Sequence, residues 1–284
     1  MRCAWNAFTN LLPLWMRSDV DDLGKDTLQE LRLRIGQAPE LVLQGKFLSL
    51  TRIVTAEDLS FCVNAASRYS PWAASTIAQG YITTLGGHRI GLCGEAVEQN
   101  GQMSGIRSPT SLCLRVARDF PGIASSARKY SGSVLILGRP GSGKTTLLRD
   151  LIRQRGEEGV GSIAVVDERG ELFPAVQGAF CFPPGSRTDV LTGADKPRGI
   201  DIVLRTMGPS CIAVDEITAK EDCLALLNAG WCGVSLLATA HAGSKKDLFS
   251  RPVYRPIVEN RLFDTLLILH QDKSWHAERM ELCT

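Results

Sequence analysis

A chain of 284 residues with 44% apolar and 22% charged residues is long enough for one large or two moderate domains, each with a core of its own. A formal net charge of +2 gives no general argument for nucleic acid or an anionic membrane as partner, because non-specific phosphate binding needs clustered Lys and Arg, and leaves only a local basic patch open. Nine cysteines, an odd number at irregular spacing with no Cys-x-x-Cys pair, fit neither a disulfide framework nor a common zinc site, and read as free thiols in a reducing cytoplasm.

At the N-terminus, Asn6, Thr9 and Asn10 interrupt the apolar residues and Pro13 follows, so no signal-peptide core forms. No run reaches the ~18 apolar residues that span a bilayer. Trp5, Phe8, Leu11, Leu12 and Trp15 make an apolar stripe that is expected to pack on its own domain. Residues 28–35 alternate, with Leu31, Leu33 and Ile35 on one face and Arg32 and Arg34 on the other, which predicts a half-buried strand. A hairpin is expected over 40–43 and 47–50. Thr55-Ala-Glu-Asp58 has the form of a capping box opening a helix to about residue 69, and a second helix is expected over 71–79, stopped by Gly80.

Residues 81–101 read as turn-rich strand, with a Gly86-Gly87 turn and a strong hairpin signal at Asn100-Gly101; 111–116 alternate again. Gly86-Gly87-His88-Arg89 lies between alternating strands and so reads as a hairpin turn rather than a phosphate loop. Together these elements predict a smaller α+β domain over 1–120, a linker over 121–132 and a second domain over 133–284.

The second domain opens on Val134-Leu-Ile-Leu137, four apolar β-formers running into Gly138, Arg139, Pro140, Gly141, Ser142, Gly143, Lys144, Thr145 and Thr146. This stretch matches G-x-x-x-x-G-K-[ST], and the helical Leu147, Leu148, Leu151 and Ile152 follow at once, the context the phosphate-binding motif requires. Gly141 and Gly143 free the backbone to point successive N–H groups at one anion at a helix N-terminus. Lys144 is expected to reach the β- and γ-phosphates of ATP, and the Thr145 hydroxyl to ligate Mg²⁺.

Downstream, 162–166 is a continuous apolar run that suits a buried parallel strand and ends in Asp167-Glu168-Arg169. Prolines, glycines and charges dominate 174–199, where no regular element is predicted. Ile200, Val203, Leu204 and Met207 recur at helical spacing up to Gly208-Pro209. A buried strand over 211–214 carries Asp215-Glu216 at its end; Thr218-Ala-Lys-Glu221 opens the next helix, which Gly230 ends; a strand over 234–238 carries Thr239-Ala-His241. A helix around 256–263 and strands over 265–270 and 275–280 complete the chain.

Apolar strands alternating with helices predict an α/β domain whose mostly parallel sheet is covered on both faces and binds its ligand at the carboxyl ends of the strands. The phosphate loop, Asp167-Glu168, Asp215-Glu216 and Thr239-His241 all fall at such ends. Asp215 is placed to hold the Mg²⁺ shell, usually through water, and Glu216 to orient or deprotonate the attacking water. Glu168 is a second candidate for that water, and His241 for a hydrogen bond to the γ-phosphate or to Glu216. Arg187, Lys196, Arg198 and Arg205 supply positive charge between the acidic tips, where one could act on a neighbouring subunit's nucleotide.

From about Glu30 to Asp272 the chain resembles the stage III sporulation AA family, the sporulation branch of the type II/type IV secretion ATPases in the RecA-like group. The resemblance is carried by Arg32-Leu-Arg-Ile-Gly36, Gly86-Gly-His-Arg-Ile-Gly-Leu-Cys-Gly94, Leu112-Cys-Leu-Arg-Val-Ala-Arg118, Thr145-Thr-Leu-Leu-Arg-Asp150, Val166-Asp-Glu-Arg-Gly-Glu171, Val214-Asp-Glu-Ile217 and Ala240-His-Ala-Gly243. It implies a RecA-like P-loop NTPase core preceded by an N-terminal domain, with nucleotide at the subunit interfaces of a homo-oligomeric, hexameric ring. It further implies ATP hydrolysis energising assembly of, or export through, a sporulation channel between mother cell and forespore. Integral membrane components of that channel would be its partners, with no nucleic acid, membrane contact only through those partners, and a cytoplasmic place on the mother-cell side. In the family scheme Asp167-Glu168 match the acidic box, Asp215-Glu216 the Walker B position and His241 the histidine box, while Arg89 and Arg115 would reach a nucleotide across an interface. After the histidine box this chain has Ala242-Gly243-Ser244-Lys245-Lys246 where pilus motors carry threonine-asparagine.

Two other functions fit an intact phosphate loop. One is a nucleotide-gated scaffold that binds ATP and hydrolyses it negligibly; the other is a RecA-like ATPase acting on nucleic acid, for which no aromatic-interleaved basic groove is visible.

Overall fold

In a computed structural model, which describes residues 1–43, 46–67, 80–99, 101–157 and 161–280, the apolar stripe at the N-terminus folds into helices α1 (Trp5–Thr9) and α2 (Leu14–Thr27). Phe8, Leu11 and Leu12 are buried together with Met16 and Val20, and the half-buried Trp5 and Trp15 pack against them, so the stripe closes the core of its own unit. The predicted alternation becomes strand β1 (Glu30–Arg34), with Leu31 and Leu33 inward. Ile35, expected on the same face, is instead 43% exposed, because the strand stops at Arg34 and Gly36 turns the chain at φ 77°. Strands β2 (Glu40–Leu43) and β3 (Lys46–Ser49) pair antiparallel as the expected hairpin.

Helix α3 (Ala56–Ser67) starts from a working capping box: Asp58 Oδ2 accepts the Thr55 N–H at 2.9 Å, and the Asp58 N–H donates to Thr55 Oγ1 at 3.3 Å. Its expected extension to residue 69, the second helix over 71–79 and Asn100 of the hairpin turn lie outside the described residues. Strands β4 (Tyr81–Thr83), β5 (Arg89–Gln99) and β6 (Gln102–Arg115) complete a six-stranded antiparallel sheet of order β3-β2-β1-β6-β5-β4. Only 111–116 of β6 was legible as alternating strand. Its outer half pairs with exposed β5 alone, so no buried face imposes a period-2 pattern there.

The glycine pair between β4 and β5 is a turn. Gly86 and Gly87 take φ 79° and 78°, and a Cβ on Gly86 would lie 2.3 Å from the Ala4 Cβ. His88, fully buried beside them, ties three segments: its Nε2 donates to the Ala4 carbonyl at 2.9 Å and its Nδ1 accepts the Ala117 N–H at 3.0 Å. Both nitrogens are used in the neutral tautomer, and burial pushes the imidazole pKa below its ordinary value.

The chain divides into two units, Met1–Asp119 with Pro174–Phe182, and Phe120–Phe173 with Pro183–Thr284. The second begins its sheet at β7 (Val134–Gly138), entirely buried, followed by α4 (Lys144–Glu157) and β8 (Ile163–Asp167). The hairpin β9 (Ala175–Val176) and β10 (Ala179–Phe180) belongs with the first unit. Then come β11 (Thr188–Thr192), α5 (Lys196–Met207), β12 (Cys211–Ile217), α6 (Lys220–Trp231), β13 (Ser235–Ala240), α7 (Lys245–Ser250), α8 (Arg255–Glu259), β14 (Thr265–Leu269) and β15 (Trp275–Arg279).

Four of these elements depart from the sequence reading. β11 and the first turn of α5 lie inside 174–199; β11 is a polar strand at the sheet edge, and Asp195 caps α5 by accepting the Arg198 N–H at 3.0 Å. α7 was not expected at all; Ser244 caps it by accepting the Asp247 N–H at 3.1 Å. The helix expected around 256–263 ends at Glu259.

The seven strands run β11-β8-β12-β13-β7-β14-β15, all parallel except β15. Leu135, Leu137, Val166, Ile212, Val214 and Leu236 from its middle strands form one core with Ile200 and Val203 of α5 and Leu226 of α6. The fold is a mixed α/β RecA-like core with a mostly parallel sheet, and a smaller α+β unit is built mainly from the preceding residues. Among the described residues no helix is long and apolar enough to cross a membrane.

Candidate active site

The strand order puts β13 between β7, which leads into the phosphate loop, and β12, which carries Asp215-Glu216. Parallel register aligns their carboxyl ends: Leu137 lies opposite Ala240, and Val214 opposite Ala238. Between Val214↔Ala238 and Ile217↔Ala240 two residues of β12, Asp215 and Glu216, face only Thr239 of β13. That is a β-bulge, and it re-aims both carboxylates.

Glu216 accordingly stands at φ 52°, a left-handed conformation that costs a residue with a Cβ about 1–2 kcal/mol. Thr239 holds the bulge in place: its hydroxyl accepts the Glu216 N–H at 2.8 Å and donates to Asp215 Oδ1 at 2.6 Å. The other Asp215 oxygen accepts the Thr145 hydroxyl at 2.7 Å.

In the phosphate loop Gly141 and Gly143 take φ 73° and 103°, which only glycine adopts freely. Arg139, Pro140 and Gly141 form its exposed crest; Ser142 is 2% exposed, and its Oγ has no hydrogen-bond partner among the described residues. Lys144, Thr145 and Thr146 open α4. Lys144 is 7% exposed, and burial lowers its pKa from the ordinary lysine value, opposed by the charges of Asp215 and Glu216. Its ammonium donates to the Arg139 carbonyl at 3.2 Å and meets His241 Nδ1 at 3.1 Å. An ammonium only donates, so Nδ1 is the acceptor; the ring proton then sits on Nε2, which donates to Glu216 Oε1.

The two acidic residues after β8 have different surroundings. Asp167 is 2% exposed and accepts the backbone N–H groups of Glu171, Leu172 and Phe173 at 2.9, 3.0 and 2.9 Å. Burial raises its pKa and those three donors oppose the rise. Its carboxylate is spent on folding the 168–173 loop. Glu168 points instead into a cavity of about 70 Å³ that Glu216, Asp215 and Lys196 also line, and its carboxylate is paired to Lys196 Nζ at 2.6 Å.

Of the other basic candidates, Arg205 pairs with Asp201 at 2.9 Å on an exposed helix face. In the first unit Arg89 stacks 3.6 Å from the centroid of Tyr81 and Arg115 pairs with Glu30 at 3.0 Å. Two residues at the site were not found from sequence. Lys273, in the turn between β14 and β15, donates to the Gly141 carbonyl. Tyr254, 3% exposed, places its hydroxyl beside the His241 N–H. Lys273 had a weak signal, a cation in a turn at a carboxyl strand end; Tyr254 had none.

The family described as Sporulation stage III, protein AA matches residues 8–278. The chain is 35% identical over 281 residues to stage III sporulation protein AA of Bacillus subtilis, covering 94% of this chain and 92% of that one. This chain belongs to the stage III sporulation protein AA family.

Among solved structures, the family member described here is similar to the Legionella pneumophila ATPase DotB, with a TM-score of 0.53, 18% identity, and 94% of this chain and 80% of that one covered. It is also similar to the pilus retraction motor PilT solved with bound ADP, with a TM-score of 0.58, 14% identity, and 88% and 76% covered. At these identities the likeness is one of fold. The stretches by which the sequence resembles the stage III sporulation AA family include residues with structural work: in Thr145-Thr-Leu-Leu-Arg-Asp150, buried Arg149 donates to the Leu172 and Glu171 carbonyls at 2.6 and 2.8 Å. Asp150 accepts the Gly122 and Ala124 N–H groups at 3.1 and 2.8 Å, anchoring the entry to the second unit.

Proposed function

We propose that this member of the stage III sporulation protein AA family is an oligomeric ATPase that energises assembly of, or export through, a sporulation channel between mother cell and forespore. The observation that carries the reading is the closed network Thr145–Asp215–Thr239–Glu216–His241–Lys144, drawn from three adjacent parallel strand ends around one phosphate loop. The reading is supported by two fold relatives, DotB, an ATPase, and PilT, solved with bound ADP.

In this reading the backbone N–H groups of the loop from Gly138 to Thr146, Pro140 having none, cradle the phosphates at the N-terminus of α4, and Lys144 exchanges the Arg139 carbonyl and His241 for phosphate oxygens. Thr145 Oγ1 and Asp215 Oδ2, a hydroxyl and a carboxylate side by side, are the hard oxygen donors that suit Mg²⁺, which takes few protein ligands and keeps its waters. Mg²⁺ would neutralise charge on the phosphates. Glu216 has one oxygen on His241 and the other, without a hydrogen bond among the described residues, to meet the attacking water, whose proton it accepts. Glu168, neutralised by Lys196, lines the same cavity and assists through water. The ring is homo-oligomeric and hexameric, on the cytoplasmic mother-cell side, held at the membrane by integral channel proteins.

The test is Mg²⁺-dependent ATP hydrolysis against protein concentration, with Lys144→Ala and Glu216→Gln beside the wild type. A specific rate that climbs with concentration and vanishes in both variants is expected. Nucleotide affinity and turnover both unchanged in Lys144→Ala would remove the phosphate-loop assignment; tight ATP binding with a flat, negligible wild-type rate would leave a nucleotide-gated scaffold.

A further inference from the structure

We propose that Tyr254 is a positioning residue for Glu216 and His241, acting through the backbone on either side of the site; the inference rests on the ATPase reading above. The Tyr254 hydroxyl accepts the His241 N–H at 3.2 Å and donates to the Ile217 carbonyl at 3.3 Å. Ile217 is the residue after Glu216. One buried oxygen therefore bridges the tip of β13 to the far end of the bulge in β12.

The bridge sits where the backbone needs restraint. Glu216 is left-handed, and such a residue keeps its conformation only when the surroundings over-determine it. Thr239 fixes the bulge from the Glu216 N–H side, and Tyr254 fixes it from the Ile217 carbonyl side. The same hydroxyl sets the height of His241, whose two ring nitrogens are shared between Lys144 and Glu216. Without it the β13 tip can slide relative to β12, and a displacement well under the length of a hydrogen bond is enough to misalign a water-positioning carboxylate.

Tyr254 is itself well anchored. The short turn Pro252–Tyr254 is tied to α6 by Cys223, whose Sγ lies 3.2 Å from the Val253 carbonyl. It is tied to α7 by the Arg251 N–H on the Leu248 carbonyl at 3.3 Å. Asp247 links that helix back to the loop after His241, accepting the Gly243 N–H at 2.8 Å while paired with Arg251 at 2.8 Å. The α7 segment thus forms a brace that leaves the site at His241 and returns to it at Tyr254.

Tyr254→Phe removes one oxygen and keeps the ring, so the variant folds. Four quantities are measured on the full chain: Mg·ATP affinity by titration, kcat and KM for hydrolysis, and the tautomer of His241 from long-range ¹H–¹⁵N spectra of histidine-labelled protein. The expected result is affinity and KM within twofold of wild type, kcat lowered about tenfold, and the single Nε2–H tautomer of His241 replaced by a mixture. Unchanged kcat with an unchanged tautomer overturns the inference. So does a parallel fall of affinity, kcat and melting temperature, the mark of a merely structural tyrosine. A wild-type chain that binds ATP without turnover counts against the ATPase reading alone, and the imidazole spectrum then decides whether Tyr254 positions His241: a mixed tautomer in the variant supports it, an unchanged one overturns it.

Discussion

His241 joins Lys144 to Glu216: one ring nitrogen lies 3.1 Å from the lysine ammonium and the other is bonded to the glutamate. The cation that would meet phosphate and the carboxylate that would meet water are thereby connected through one imidazole. His241→Ala releases Lys144 from one of its two acceptors and leaves Glu216 unoriented. ATP affinity is expected to stay within a few-fold of wild type or to tighten, while turnover drops by about a hundredfold, as for loss of a group that aligns a general base. Equilibrium titration and steady-state rates separate the two; a loss of affinity as large as the loss of rate would contradict this arrangement.

The left-handed Glu216 gives a stability prediction that is independent of activity. Glu216→Gly and Glu216→Ala both delete the carboxylate, yet only glycine adopts φ 52° without a steric penalty. The glycine variant should therefore be more stable than the alanine variant by about 1 kcal/mol, with hydrolysis absent in both. Urea midpoints of the two variants decide it, and an alanine variant as stable as the glycine one would show that the bulge relaxes.

Asp167 is expected to act on stability before chemistry. Asp167→Ala leaves three backbone donors without their acceptor, those of Leu172 and Phe173 in buried positions. At about 1–3 kcal/mol for each buried unsatisfied group, the loss should be about 3 kcal/mol or more. Chemical denaturation followed by tryptophan fluorescence measures it; a loss under about 1 kcal/mol would mean that the 168–173 loop refolds around other acceptors.

His88 makes the first unit acid-sensitive. Burial holds its folded pKa below the unfolded value of 6.5, so between those two values the unfolded chain carries more bound proton. Its contribution is therefore present above pH 6.5 and lost as pH falls through the folded value. For one proton the slope reaches at most about 1.4 kcal/mol per pH unit. Melting curves taken at steps below pH 6.5 should show this slope in the wild type and its absence in His88→Gln; equal slopes would place the acid sensitivity elsewhere.

Much of the second unit is readable because its strands carry their own signals. Val134–Gly138 and Ile163–Asp167 are buried throughout and read as unbroken apolar runs, and the phosphate loop is a local motif with fixed spacing. The edge strand β11 was lost for the matching reason: it is polar and half exposed, so neither its period nor its composition stands out from the loop before it. In the first unit β5 was read as strand, and the outer half of β6 was lost because it lies on an exposed ribbon with no buried face to impose a period.

By itself the sequence determined which residues stand at strand ends: Lys144 and Thr145 after one apolar run, Asp215 and Glu216 after another, His241 after a third. Hydrophobic period and glycine placement are local properties, and a strand tip is defined within about ten residues of chain. Only the tertiary structure decided which tips meet. It inserted β13 between β7 and β12, bringing His241 onto Lys144 across 97 residues, and it put Thr239 and Tyr254 on either side of a left-handed Glu216. Strand order follows from how the crossover helices pack on the two faces of the sheet, and the bulge from one extra residue in a register shared by two strands; both are long-range balances of burial and hydrogen bonding that no local pattern records.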